Sequence, residues 1–165
     1  MHRNIGELIE NVFDVDQQLR KQKVWSLESI NKFSDFTDFL LKEIVKRHGV
    51  PTPSVVGQKI ADKFVILLCH CTDLKFIQSV ADSPKFIHGK FRKDGVAVVL
   101  DNLLVRDGKK QRFGTILKKT PGGNSAPTPI EDEINVDKRR GEFGLETTLE
   151  EYIKNTDNLF KKIGR

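Results

Sequence analysis

The sequence contains no long apolar segment. Its longest fully apolar run, Phe64 to Cys69, has six residues, whereas a helix that spans a membrane needs about 20. Near the start of the chain, Glu7, Glu10, Asp14 and Asp16 stand where a signal peptide would have its apolar core. We therefore expect a cytoplasmic protein that has no membrane partner.

Cysteine is scarce, and the motifs of common metal and nucleotide sites are missing. The two cysteines, Cys69 and Cys71, are one residue apart, which is too close for an ordinary disulfide, and no second pair of zinc ligands follows them. The chain also lacks a phosphate-binding glycine-rich loop, a dinucleotide-binding fingerprint and a serine-nucleophile elbow. The sequence thus predicts no metal site and leaves the cofactor unknown.

The residues that are present suffice for one folded domain. The chain has 165 residues, of which 38% are hydrophobic and 11 are phenylalanine. A chain of this length can bury roughly two-thirds of its unfolded surface. We predict a single domain over residues 1–165.

The positive charge is concentrated in one segment. The net charge is +5, and residues 106–140 hold nine Lys or Arg against five Asp or Glu. Such a bias attracts phosphates or nucleic acid, but Glu131, Asp132 and Glu133 interrupt it. A solvated surface and a nucleic-acid-binding surface are both compatible with this pattern.

The apolar spacing predicts a mainly α-helical fold. One amphipathic helix is expected from about Ile5 to Lys21, and a second begins after Ser26 and ends near His48. A third, from Val55 to about Cys71, is apolar on all sides in its second half, so we expect it to be buried at the centre. The apolar residues expected along the second helix are Leu27, Ile30, Phe33, Phe36, Leu40, Leu41, Ile44 and Val45.

Shorter elements complete the predicted fold of five or six helices. Asp73 is placed to cap a short helix, and Thr147 or Thr148 to cap the last one. The apolar run at residues 96–105 fits either a strand or a helix. Alternation over residues 111–119 predicts a small β element, and the proline- and glycine-rich residues 120–129 predict a loop.

Five motifs in the second half of the chain together resemble a family of small bacterial proteins that share a domain of unknown function. The motifs are QRFGT (residues 111–115), PIED (129–132), VDKRR (136–140), GL (144–145) and LEEY (149–152). The resemblance extends back to Asp16, Gln17 and Arg20, and it implies a helix for residues 96–105. The chain departs from the family pattern at Cys69, Asn102 and Phe113, where Gln, Arg and Tyr are usual.

His70, at the end of the predicted central helix, is the best single candidate for chemistry. Its imidazole can exchange a proton near neutral pH or ligate a metal. Asp73 has a spacing that can share a metal with it, but no motif joins further ligands to this pair. A hydrogen-bonded histidine at a helix end has the same appearance in sequence.

We hypothesise that the N-terminal helix, the end of the central helix and the strand at 111–115 converge on one polar cleft. The resemblance supports this idea, because the family pattern keeps polar residues that share no periodicity. Arg20 would bind an anionic small molecule, and Asp16 would orient either that molecule or His70. His70 would act as the base, with Asp101 as a second candidate to orient it. The catalytic residues would be His70, Asp101 and Asp16. The ligand-binding residues would be Arg20, Gln78, Gln111, Gly114, Thr115 and Arg140.

Each motif also has a structural explanation. Asp16 and Arg20 are one helical turn apart and can form an internal ion pair, Gly114 can permit close packing at a strand edge, and the arginines of VDKRR can lock a loop to the body. In that case the alternative function is a protein- or nucleic-acid-interaction module that acts through the basic surface of residues 85–119.

Overall fold

The computed structural model of the protein describes residues 2–21 and 26–162, and only the backbone of residues 2–4, 27, 30 and 160–162. Within these ranges it contains nine α-helices, one 3-10 helix and two short strands, which confirms the mainly α-helical fold. Two of the helices are four-residue turns, so the number exceeds the five or six expected. No helix in the described ranges is long and apolar enough to cross a membrane.

The chain divides into two compact units, Met1–Gly95 and Val96–Arg165. The single domain over residues 1–165 stays a prediction. The first unit contains α1 (His2–Lys21), α2 (Leu27–His48), α3 (Pro53–Val56), α4 (Gln58–His70), α5 (Leu74–Ala81) and α6 (Pro84–Ile87), and α7 (Lys93–Arg106) begins in it.

Local signals set the ends of the helices in the first unit. The Ser26 hydroxyl accepts a hydrogen bond from the Ser29 N–H and caps α2, as predicted. Asp73 likewise caps α5 by accepting from the Phe76 N–H. The predicted helix from Val55 to Cys71 is divided at Gly57, which has a φ of 82°; it therefore forms α3 and α4, because an α-helix cannot continue through that backbone conformation.

The core of the first unit surrounds α4, which packs against α1, α2 and α3. Phe64 and Leu67 of α4, Ile9 of α1 and Leu41 of α2 are all fully buried. Of the apolar residues expected along α2, Phe36 is 51% exposed, and the side chains of Leu27 and Ile30 lie outside the described part of the structure. Residues spaced three or four apart cover a wide arc of the helix surface, and only part of that arc on α2 faces the core.

The second unit contains the remainder of α7, two antiparallel strands, a 3-10 helix and two further α-helices. These are β1 (Leu117–Lys119), β2 (Ser125–Pro127), the 3-10 helix Glu133–Asn135, α8 (Val136–Phe143) and α9 (Leu149–Lys162). The strands pair with Leu117 opposite Pro127 and Lys119 opposite Ser125. The ambiguous run at 96–105 is helical, as the resemblance implied. Thr148 and Glu151 form a reciprocal cap at the start of α9.

The β element differs from its prediction in two respects. Only Leu117–Lys119 of residues 111–119 is a strand, and Gln111 forms a single parallel bridge with Ile130. The segment expected to be a loop contains β2. The physical reason is that side chains of the same unit bind the backbone groups of residues 112–116, so these groups are not available to a neighbouring strand.

Candidate functional site

Three of the predicted residues meet in the first unit, where α1 lies against α4. The Asp16 carboxylate accepts from Arg20 Nε at 2.8 Å through Oδ1, and it lies 2.8 Å from His70 Nδ1 through Oδ2. Asp16 and Arg20 are one turn apart on α1, and His70 is the last residue of α4. We call Asp16, Arg20 and His70 the trio.

The Asp16 carboxylate is ionised and therefore determines which nitrogen of His70 carries a proton. Burial by itself raises the pKa of Asp16, but the hydrogen bond and charge of His70, followed by those of Arg20, outweigh burial and lower the pKa. An ionised carboxylate can only accept hydrogen bonds, so Nδ1 is the protonated nitrogen. Nε2 of a neutral His70 then carries a lone pair.

The trio combines a buried centre with accessible ends. The Asp16 side chain is only 3% exposed, whereas those of Arg20 and His70 are 30% and 26% exposed. Among the residues that the structure describes, none pairs with His70 Nε2 or with the two terminal nitrogens of Arg20. The trio can therefore bind an anion through the guanidinium and exchange a proton through the imidazole.

Gln17 is a fourth member of this site that the site prediction missed. Its Nε2 donates to Asp16 Oδ2 at 3.0 Å, so the carboxylate has three side-chain donors. The resemblance already included Gln17 beside Asp16, and this was the signal that could have identified it. Gln78, in contrast, lies exposed on α5 and donates to Asp82 one turn later at 2.8 Å, outside the trio.

Asp101 has a set of partners within the second unit that we did not expect. Its fully buried carboxylate accepts from the N–H groups of Arg112, Phe113 and Thr115, and from the Thr115 hydroxyl at 2.8 Å. Asp16 and Asp101 were both candidates to orient His70, and the carboxylate that contacts the imidazole is Asp16. Asp101 instead holds the backbone at residues 112–115, because both of its oxygens are occupied there.

Gln111 binds the same stretch of backbone through both ends of its amide. Its Oε1 accepts from the Ile116 N–H at 2.8 Å, while its Nε2 donates to the Ile116 and Thr128 carbonyls. The side chain is fully buried. Gln111 therefore joins the two segments that lead into β1 and out of β2, and its polar atoms are used inside the fold.

Arg140 is also enclosed, with only 2% of the residue exposed. Its guanidinium donates to the Phe113 carbonyl at 2.6 Å and to the carbonyl and hydroxyl of Thr147. It lies 5.2 Å from the centre of the Tyr152 ring, and the Tyr152 hydroxyl donates to the Thr115 carbonyl. Burial lowers the pKa of Arg140, against the opposing effects of Asp137, Tyr152 and Asp101.

Gly114 occupies a position in this stretch that only glycine fits without strain. Its φ is 73°, and a Cβ atom there would lie 2.5 Å from Leu149 Cδ1. Asp101, Gln111, Arg140 and Tyr152 thus all hold one turn, residues 111–116, which we call the clamped turn. Asp101, Gln111 and Arg140 are predicted site residues that the structure brings together, but their hydrogen-bonding groups are directed mainly at the backbone.

Two open cavities lie away from these residues. One, in the first unit, has a volume of about 420 Å³ and is lined by residues of α1 and α2 that include Leu8, Phe39 and Ile44. The other, in the second unit, has a volume of about 770 Å³ and is lined by residues of β2, α8 and α9. Within the described ranges, no group of three or more His, Cys, Asp or Glu is arranged to hold a metal ion.

The basic residues at 85–119 are partly neutralised by neighbours. Arg92 pairs with Asp94 at 2.9 Å, Lys109 with Asp107 at 2.6 Å, and Lys119 with Asp157 at 3.0 Å. Paired cations attract a polyanion less strongly than free ones. An interaction module at residues 85–119 stays a prediction.

Comparison with known proteins gives one match. A family model described as a family of unknown function (DUF6624) matches residues 29–162, and no curated protein and no solved structure matches the chain. The matched range contains His70 and the clamped turn, and Asp16 and Arg20 precede it. The chain therefore belongs to this family.

Proposed function

For this member of a family of unknown function, we propose binding of a small organic anion by Arg20 and His70, with Asp16 as the positioning residue. The observation that carries the proposal is the geometry of the trio. One buried carboxylate holds two partly exposed side chains, each at 2.8 Å, and the outer nitrogens of both have no partner among the described residues.

Arg20 supplies the anion-binding group. Asp16 occupies its Nε, so the two terminal nitrogens remain for a carboxylate or phosphate, which a guanidinium can bind through two parallel hydrogen bonds. The ion pair with Asp16 limits the rotamers of Arg20 before any ligand arrives. Less side-chain entropy is then lost on binding.

His70 supplies proton exchange in the proposed site. Asp16 holds the proton on Nδ1 and leaves Nε2 as the acceptor. When Nε2 takes a proton from a bound molecule, the nearby carboxylate stabilises the imidazolium that forms. The proposal is therefore that His70 acts as a general base on a bound substrate.

The residues of the clamped turn are not assigned to the ligand. Gln111, Thr115 and Arg140 were expected to bind it, but their polar groups already bond to carbonyls, N–H groups or carboxylates of their own unit. Binding a ligand there would first break those bonds. The proposal therefore places recognition on Arg20 and His70 alone.

A screen of small anions tests the binding step. We would measure thermal shifts and titration calorimetry of the full chain with inorganic phosphate, sugar phosphates, nucleotides and dicarboxylates. One class should stabilise the protein, by about RT ln(1 + [L]/Kd), and Arg20→Gln should reduce its affinity at least about tenfold. No shift from any of them, or an unchanged affinity in Arg20→Gln, would contradict the proposal.

Arg47 provides a matched control for Arg20. Its Nε donates to the Glu43 carboxylate at 2.8 Å, also one turn away, but among the described side chains no histidine bonds to that carboxylate. Arg47→Gln removes the same charge and the same type of helical ion pair, and it should leave anion affinity unchanged. Equal losses in Arg20→Gln and Arg47→Gln would indicate only a general effect of net charge.

The proton-exchange step has a separate readout. A proton that passes from the bound molecule to Nε2 stays within the complex, so it is followed on the imidazole itself. Nitrogen NMR of the His70 ring should show that Nε2 gains a proton when an anion of the binding class that carries an acidic hydrogen is added, and His70→Gln should still bind that anion through Arg20. A His70 ring whose Nε2 gains no proton in the complex would remove His70 from the proposed role. Binding to short RNA or DNA with steep salt dependence, and to no small anion, would favour the interaction module.

A further inference from the structure

The most exposed large apolar side chain among the described residues belongs to Ile134, which is 95% exposed. It lies in the 3-10 helix within residues 131–135, which we call the knob. Glu131, Asp132 and Glu133 are also exposed there, so the knob presents one apolar side chain among three carboxylates.

The knob is held in a defined shape. Asp132 adopts left-handed backbone angles, with a φ of 45°, a conformation that costs free energy for a residue other than glycine. Arg139 donates to the Glu131 and Asp132 carbonyls and to the Arg112 carbonyl, and Asn135 donates to the Asp132 carboxylate. A fixed, exposed isoleucine is suited to insertion into an apolar groove.

The first unit contains a groove of that kind between α1 and α2. Its volume is about 420 Å³. Ile5 and Ile44 in its lining are buried, while Phe39 is 63% exposed. We call this cavity the α1–α2 groove. Its lining consists of Ile5, Leu8, Phe39, Leu40, Glu43, Ile44, Arg47 and His48.

The net charges on the knob and beside the groove are opposite. Lys46 and Arg47, in the last turn of α2, are exposed and share one carboxylate, Glu43, at 3.9 and 2.8 Å, which leaves a net positive charge. The knob carries three exposed carboxylates, of which Asp132 pairs with Arg139 at 3.4 Å, which leaves a net negative charge. An apolar side chain in acidic surroundings thus matches an apolar groove beside a basic helix end.

We propose that two copies of this chain associate head to tail, with Ile134 of one copy inserted into the α1–α2 groove of the other. The two surfaces are different, so the contact is heterologous: a copy whose groove is occupied still has a free knob. A contact built on one anchor is small, and we expect weak, salt-sensitive self-association with a Kd on the order of 10–100 µM.

Sedimentation equilibrium of the full chain tests this proposal. Ile134→Asp and Phe39→Asp should each weaken self-association at least about tenfold, and raised salt should weaken the wild-type association. Both side chains are exposed, so circular dichroism should show unchanged folding in both variants. Ile87→Asp is the matched control, because Ile87 is 52% exposed and belongs neither to the knob nor to the lining of the groove, and it should change nothing.

A mixing experiment distinguishes the head-to-tail contact from other modes of association. Ile134→Asp keeps an intact groove, and Phe39→Asp keeps an intact knob. Each variant alone should be monomeric, whereas an equimolar mixture should form a 1:1 dimer with close to the wild-type Kd. A mixture that stays monomeric, a wild-type protein that is monomeric up to ~1 mM, or an equal effect of Ile87→Asp would overturn the proposal.

Discussion

Asp16 and Asp101 are both buried carboxylates, but their partners differ in whether they keep hydrogen-bonding groups that another molecule can reach. Asp16 binds side chains, Arg20 and His70, whose far ends reach solvent. Asp101 binds three backbone N–H groups and the Thr115 hydroxyl, all of them inside the second unit. The first arrangement leaves donors and an acceptor for a ligand. The second uses every group to define a turn.

The difference separates side chains that keep accessible ends from side chains whose polar groups are used inside the fold. Buried polar groups are stable only when their hydrogen bonds are made, and both carboxylates meet that condition. At the clamped turn, the Asp101 carboxylate and the Gln111 amide meet it with partners from their own unit. The hydrogen bonds of the second unit therefore fix the backbone of the QRFGT motif, residues 111–115.

The largest expected effect is that of Asp101→Ala. The substitution leaves the buried N–H groups of Phe113 and Thr115, the partly buried N–H of Arg112 and the buried Thr115 hydroxyl without an acceptor, and we expect a loss of at least about 3 kcal/mol in the free energy of unfolding. Urea unfolding of wild type and variant measures it. Asp107→Ala, at the end of α7, removes an exposed carboxylate that pairs with Lys109 and should cost under about 0.5 kcal/mol. Similar losses in the two variants would contradict the interpretation that the hydrogen bonds of Asp101 maintain the clamped turn.

The next effect is that of Gly114→Ala, which we expect to destabilise the protein by about 2 kcal/mol. The added Cβ meets Leu149 at 2.5 Å and is held at a φ of 73°. Gly108→Ala is the control for conformation alone, because Gly108 has a φ of 72° and nothing within 4 Å of its Cβ position. Thermal unfolding of both variants should show the smaller loss for Gly108→Ala. Equal losses would mean that Leu149 moves away at no cost.

Asp16→Asn should have an intermediate effect that depends on pH. The pKa of Asp16 is lowered in the folded protein, so its charge stabilises the fold above its ordinary pKa of 3.8 and ceases to do so as the pH falls through the lowered value. The variant should be about 1–2 kcal/mol less stable than wild type at pH 7. Urea unfolding from pH 7 to pH 3 should show this gap closing in acid; a gap that widens there would contradict the assignment.

The smallest expected effect on stability is that of Arg20→Gln. Arg20 is 30% exposed in its pair with Asp16, so we expect a loss below about 1 kcal/mol. Arg47→Gln, in the more exposed pair with Glu43, should lose less. Arg20→Gln should thus stay folded while it loses anion affinity. A loss comparable to that of Asp101→Ala would show that the trio, like the clamped turn, is needed to maintain the fold.

Local sequence signals predicted most helices well. Ser26 and Asp73 cap the helices they were expected to cap, because capping depends on residues only a few positions apart. The β element was predicted less well, since the backbone of residues 112–116 binds Asp101 and Gln111 instead of a strand. Asp101 lies on the preceding helix and Gln111 at the start of the turn. Their contacts produce no periodic pattern in the sequence, so residue spacing could not predict them.

The candidate site also depends on a contact between distant residues that the sequence pattern alone could not establish. The sequence identified Asp16, Arg20 and His70 individually, and the i,i+4 spacing predicted the Asp16–Arg20 pair. It did not show that His70, 54 positions along the chain from Asp16, contacts that carboxylate. It also grouped Gln111 and Arg140 with the ligand, because a polar residue looks the same in sequence whether it faces a ligand or a carbonyl.

By itself, the sequence determined the mainly helical fold, the ends of most helices, the membership of the family and a short list of unusual polar residues. These properties depend on apolar periodicity, capping residues and the order of motifs, all of which are local along the chain. Only the tertiary structure decided which of those residues keep free hydrogen-bonding groups. That depends on what surrounds each side chain in space, and the surroundings are set by packing between segments that are distant in sequence.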